Sequence, residues 1–104
     1  MKEHIEELLM EWHPAEIGRL VGIPSNEAKK IVREIYLEWG HNEPDDWEVQ
    51  LVGDDQYVLF LKQGDEWIDE DGEFRCFDSK EAALEHLHAS LRRWHEQVSL
   101  NTYS

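Results

Sequence analysis

Cysteine, positive charge and long apolar runs are all scarce in this chain, and each scarcity narrows the reading. With Cys76 as the single cysteine, no intramolecular disulfide and no cysteine zinc cluster can form, and a reducing, cytoplasmic setting is the expectation. No stretch approaches the ~18 apolar residues of a membrane span, and the opening Met-Lys-Glu-His lacks a signal-peptide core. Neither membrane insertion nor secretion is therefore expected. Lys and Arg together number 10 against 24 Asp and Glu, a net charge of −14. Phosphate backbones and anionic lipid repel such a surface, which leaves basic proteins or cations as the easier partners.

What is present is enough to fold. At 104 residues the chain suits one domain and is too short for two cores. An apolar fraction of 40% with five tryptophans exceeds what disordered acidic chains carry. The acid is local: residues 41–78 hold 13 carboxylates against Lys62 and Arg75, whereas 1–40 is close to balanced and 79–104 is neutral. Crowded like charges oppose compaction, so a field gathered in this way implies a use for it.

Periodicity divides the chain. Ile5, Leu8, Leu9 and Trp12 recur at helical spacing over residues 2–12. Pro14 at a first helical position and Gly22 as terminator bound a second helix over 14–21. Ser25 is the expected cap of a third, whose stripe of Ala28, Ile31, Val32, Ile35 and Trp39 ends at Gly40. Residues 41–46 read as a linker around Pro44, after which the period changes to two: Trp47, Val49 and Leu51 alternate with Glu48 and Gln50, and Tyr57 to Leu61 follows the Gly53-Asp54-Asp55 turn. Further turns at Gly64-Asp65 and Asp71-Gly72 predict a three- to four-stranded antiparallel meander over 47–77. Asp78 and Glu81 have the spacing of a capping box opening a helix over 78–98, with Leu84, Leu87, Leu91, Trp94 and Val98 on its apolar side, and 99–104 is expected to fray. The expectation is a single α+β domain: an N-terminal three-helix unit, a meander and a C-terminal helix packed on the sheet.

Residues 14–38, Pro-Ala-Glu-Ile-Gly-Arg-Leu-Val-Gly-Ile-Pro-Ser-Asn-Glu-Ala-Lys-Lys-Ile-Val-Arg-Glu-Ile-Tyr-Leu-Glu, carry a recognisable pattern. Two helices crossing at a tight turn need a small residue at their contact, Gly18, and one free to take positive φ, Gly22. Ile17, Val21, Ile23, Ala28 and Ile31 fall at buried-face spacings, and the segment resembles the helix-turn-helix superfamily at the level of this motif. The resemblance implies a recognition helix over 26–38, with Asn26, Lys29, Lys30 and Arg33 as the nucleic-acid-binding residues. The segment's own charge is neutral, unlike the basic footprint of most DNA readers, and a helical hairpin used as scaffold fits it better.

Other constellations carry less. In a calcium-loop register Asp69, Asp71 and Gly72 take ligand-loop positions, but Trp67 occupies the first and Asp78 the last, with no helix before them. His86, His88 and His95 miss the i, i+4 spacing of helical zinc pairs, and Cys76 between Arg75 and Phe77 reads as core filler. No catalytic residue, cofactor or metal site is assigned. Trp12, Trp39, Trp47 and Trp94 fall on core stripes; Trp67, amid the densest acid, reads either as cover for a sheet edge or as an aromatic anchor with a carboxylate rim.

Three readings of function follow. The first is a small acidic, non-enzymatic regulator that binds a basic protein, with a nucleic-acid-binding protein as one target through phosphate mimicry; small acidic inhibitors of phage and mobile elements are similar in type. Its candidate protein-binding residues are Asp45, Asp46, Glu48, Asp54, Asp55, Asp65, Glu66, Trp67, Asp69, Glu70, Asp71 and Glu73. The second is a helix-turn-helix transcription regulator, monomeric or paired through the last helix. The third is a structural subunit whose acid confers solubility.

Overall fold

The computed structural model describes residues 1–62 and 64–103. In chain order they form α1 (Lys2–Leu8), α2 (Pro14–Val21), α3 (Ser25–Glu38), a 3-10 turn over Pro44–Asp46, β1 (Trp47–Gly53), β2 (Gln56–Leu61) and α4 (Lys80–Tyr103). The architecture is α+β.

The helical boundaries have local causes. α1 stops at Leu8 because the next turn tightens: Met10 and Glu11 donate to carbonyls three residues back, Glu7 and Leu8. The expected helix to Trp12 is therefore shorter, and Trp12 stands exposed. At the start of α2 the His13 ring accepts from the Ala15 N–H with Pro14 at the first position, and Gly22 closes the helix in the left-handed region at φ 78°. At Gly18 an added Cβ would stand 3.0 Å from both the Ile23 carbonyl oxygen and the Ser25 Cα, so the α2–α3 crossing needs glycine there. Pro24, not Ser25, occupies the cap position of α3; no side chain caps that helix at its start. Ser79 rather than Asp78 begins α4, its hydroxyl accepting from the Ala82 N–H, and the helix continues past residue 98.

α3 is the central element. Ala28, Val32 and Ile35 are buried on one side with Ile5 and Ile17, while Lys29, Arg33, Tyr36 and Leu37 are buried on another. Trp39 lies just beyond its last turn and is exposed, contrary to its place on the sequence stripe. Trp47, Leu59, Leu61, Trp67, Ile68, Ala83, Leu87 and Leu91 join the same hydrophobic cluster, so helices and hairpin share one core.

The expected three- to four-stranded meander is not formed. Among the described residues the sheet has two antiparallel strands, β1 and β2, in the register Trp47↔Leu61, Val49↔Leu59 and Leu51↔Tyr57, with a bulge between Leu51 and Gly53. The following segment touches this ladder only at isolated bridges, Phe60↔Glu66 and Tyr57↔Phe77, and bridges itself at Ile68↔Phe74. The reason is burial. Trp67, Ile68 and Asp69 are consecutive and all buried, whereas a strand on a half-solvated sheet turns every second side chain outward. They are wedged among α3, the hairpin and α4, and this removes the period that a third strand requires. Cys76, expected as core filler, is exposed in the same irregular stretch.

The turn at Gly72 presses on α3. Its φ is +81°, and an added Cβ would lie 2.0 Å from the Asn26 carbonyl oxygen. Gly64 also has positive φ, +110°, but open space around it. Gly72→Ala is therefore expected to cost about 3 kcal/mol or more, and Gly64→Ala only about 1–2 kcal/mol, in urea unfolding. Equal losses would show that the turn's approach to α3 contributes nothing.

Candidate protein-binding surface

The twelve acidic-segment residues separate into an internal network, the more enclosed Glu66 and Trp67, and a set of hairpin acids. Asp69, Glu70, Asp71 and Glu73 belong to an internal network. Asp69 is buried, accepts from His86 Nε2 at 2.7 Å and pairs with Arg75. Glu70 Oε1 accepts from the Ser90 hydroxyl at 2.8 Å and from Arg93 Nε at 2.9 Å. Asp71 pairs with Arg75 at 3.3 Å, and Glu73 with Lys29 at 3.7 Å. Burial works against the charge on Asp69, but the His86 hydrogen bond, the Glu70 backbone N–H and the nearby Arg75 hold its carboxyl below the ordinary range. Partial burial likewise opposes the charge on Glu70, and Arg93 and Ser90 more than offset it. Glu66 goes the other way, raised by burial.

Trp67 is 1% exposed and packs edge-to-face on Trp47, ring centroids 4.9 Å apart, with the Arg33 guanidinium 4.8 Å from its own ring. Its indole N–H has no hydrogen-bond acceptor among the described residues. Such a side chain is a core element and cannot meet a partner as a surface anchor. Of the two sequence readings of Trp67, its burial beside β2 agrees with cover for the sheet edge and not with the surface anchor.

The remaining acids stand on the hairpin. Asp45, Glu48, Asp54, Asp55 and Asp65 are exposed; Asp46 is half-buried and its carboxylate accepts the Glu43 N–H within the 3-10 turn. Residues 43–65 contain seven carboxylates and one lysine, Lys62. Asp45, Asp46 and Asp65 gather at the hairpin base, where Leu61 N donates to the Asp65 carbonyl and Lys62 N to that of Asp46, while Asp54 and Asp55 form the tip. The seven residues of β1 set the two groups about 20 Å apart at ~3.3 Å per residue. The acid is thus an elongated stripe with two poles.

The candidate nucleic-acid residues are drawn apart in another way. Lys29 and Arg33 are each 8% exposed, Asn26 is half-buried and only Lys30 is open. The Lys29 ammonium lies 4.6 Å over the Phe74 ring, and Arg33 donates to the Ile68 carbonyl at 2.9 Å. Residues 68–74 therefore pack on the side of α3 that carries Lys29 and Arg33. Nearby, an open groove lined by Lys30, Arg33, Glu34, Glu70, Arg93 and Trp94 mixes both signs of charge and selects neither.

Sequence reasoning missed two features. Leu51 and Val52 on β1 are 62% and 50% exposed, large apolar side chains beside the acidic tip. The alternation of 47–51 signalled a strand but not that its outer half would overhang the core. Nor did the sequence reveal that His86 and Ser90 on α4 receive Asp69 and Glu70. Among the described residues, no group of three or more His, Cys, Asp or Glu is arranged to hold a metal ion, and no helix is long and apolar enough to cross a membrane.

Comparison with protein-family models, with curated proteins and with solved structures found no match for this chain.

The pKa directions fix a pH response. Carboxyls lowered in the folded state contribute stability above their unfolded values and lose it as pH falls through the folded ones. Asp69→Asn is therefore expected to lower stability by about 2 kcal/mol at neutral pH and to flatten the loss of stability below pH ~4, measured by urea unfolding across pH. An unchanged acid limb would remove Asp69 from that role.

Proposed function

We propose that this chain is a non-enzymatic protein-binding module whose acidic hairpin attracts a basic partner protein. One observation carries the reading: Asp69, Glu70, Asp71 and Glu73 are matched by cations of the fold, whereas the exposed hairpin acids Asp45, Asp54, Asp55 and Asp65 have no cationic side chain paired with them among the described residues. Unmatched charge of one sign on a protruding element raises the encounter rate with an oppositely charged surface. A regulatory role, in which the module holds a nucleic-acid-binding protein off its own ligand by imitating phosphates, is the form of this reading that the spaced carboxylates support. No specific observation favours DNA reading through α3, because Lys29 and Arg33 are engaged inside the fold.

The residues that test the proposal are those of the hairpin. Substitution at Asp69 or Glu73 would disturb pairs that the fold itself uses, with His86 and Arg75 or with Lys29, and say nothing of a partner. With short oligolysine as probe, the combined change Glu48→Lys, Asp54→Lys, Asp55→Lys and Asp65→Lys is expected to slow association by about tenfold or more and to abolish its salt dependence. Asp71→Asn should leave the rate within about twofold, since that carboxylate already pairs with Arg75. Stopped-flow fluorescence reads both. An unchanged rate in the reversed variant refutes the reading, as does a duplex-DNA shift at low salt that Lys30→Ala removes.

A further inference from the structure

We propose that the outer edge of β1 is a strand-addition site for a basic, extended segment of a partner protein. This rests on the reading of the hairpin given above and adds where the partner docks and in what conformation.

Hydrogen-bond parity opens the edge. Tyr57 and Phe77 exchange backbone bonds at 2.9 and 2.8 Å, the Leu59 carbonyl accepts from Trp67 N at 2.9 Å, and Leu61 N donates to the Asp65 carbonyl at 2.7 Å. The odd-numbered residues of β2 therefore turn their backbone groups away from β1. In an antiparallel ladder the residues opposite them do the same on their own side. Val49 and Leu51, which face Leu59 and Tyr57, thus direct N–H and C=O outward, and no other backbone group among the described residues meets them. Trp47 shares the parity, but its N–H is taken by the Pro44 carbonyl. The segment 66–77 covers the far side of β2, so β1 is the open side of the sheet.

The side chains beside this edge define the occupant. Native edges are commonly blunted by lysine or proline, yet here exposed Leu51 and Val52 flank it. Acids stand at both of its ends, Asp45 and Asp46 before it and Asp54 and Asp55 after it, with Glu48 between. A second copy docking edge to edge would bring acidic pole onto acidic pole in either direction, and like charge opposes that pairing. A segment alternating basic and apolar residues is complementary. Residues opposite Val49 and Leu51 lie on the same face as those side chains, so its apolar residues belong there and its basic ones opposite Glu48 and Gln50.

The test uses the full chain and an end-blocked peptide of alternating Lys and Val, with two isomers N-methylated at the valines or at the lysines. With the segment antiparallel to β1, addition in this register uses the valine N–H groups. Valine N-methylation is expected to weaken binding by about tenfold or more, and lysine methylation to leave it within about threefold. Amide exchange at Val49 and Leu51 should slow in the complex with the unmethylated peptide. Equal binding of the two methylated isomers, or no protection at Val49 and Leu51, overturns strand addition while leaving charge attraction in place. Absence of binding by every peptide at low salt removes both readings. Protection of these amides by self-association in concentrated protein alone, seen in sedimentation, also overturns the proposal by making a second copy the occupant.

Discussion

The burial of the Arg33 guanidinium is the constraint on which the rest of this fold depends. Removing that charge from water is costly, and desolvation lowers its pKa although Glu70 and Asp69 act in the opposite direction. The cost is met by the Ile68 carbonyl, the face of Trp67 and the two carboxylates close by. Those groups come from consecutive residues, 67–70, so a single cation on α3 organises the whole turn. The same residues then meet α4: Asp69 accepts from His86, and Glu70 from Ser90 and Arg93. α3 and α4 are tied together through a loop that Arg33 and Lys29 hold from α3 and His86, Ser90 and Arg93 hold from α4.

This arrangement explains why a three-helix unit of nearly balanced charge sits beside a strongly acidic segment. Lys29 of α3, Arg93 of α4 and the loop's own Arg75 pair with the inner part of that segment, whereas Asp45, Asp54, Asp55 and Asp65 have no paired cation among the described residues. Lys29 illustrates the division: on a free helix it would be a solvated lysine, but beneath Phe74 and near Glu73 it is 8% exposed. Fold stability and surface field therefore draw on the same set of acids, divided by position. Half-exposed pairs such as Glu70 with Arg93 add little individually. Two losses would strand polar groups: Asp69 is itself buried and receives His86, and Glu70 is the acceptor of the buried Ser90 hydroxyl.

How much of this was legible in the chain follows from how local each cause is. α2 was readable because Pro14, Gly18 and Gly22 act within eight residues of each other, and the α3 stripe of Ala28, Val32 and Ile35 is a period intrinsic to the helix. The second buried side of α3 was not readable, since Lys29 and Arg33 are buried only because residues 68–74 return to them, Ile68 being 35 positions away from Arg33. Asp71-Gly72 marked a turn correctly in place but not in kind: Gly72 brings backbone against α3 rather than joining two strands. Of the candidate site, the hairpin acids were readable from spacing alone. The inward turn of Trp67 and the outward parity of Val49 and Leu51 were not, because each depends on which neighbour the opposite residue takes.

The separation of the acid into two poles constrains what the hairpin can hold. Exposed charges are screened over ~8 Å at physiological ionic strength, well short of the ~20 Å between hairpin base and tip. Each pole therefore acts alone on a compact basic patch, and such a patch gains from only one of them. An extended chain running beside β1 passes Asp45 and Asp46, then Glu48, then Asp54 and Asp55, and meets each within screening range. The backbone groups of Val49 and Leu51 lie along that same line, between the poles. If the proposed binding holds, geometry of charge and geometry of hydrogen bonding together favour an extended basic segment, and neither observation alone would choose it over a globular basic surface.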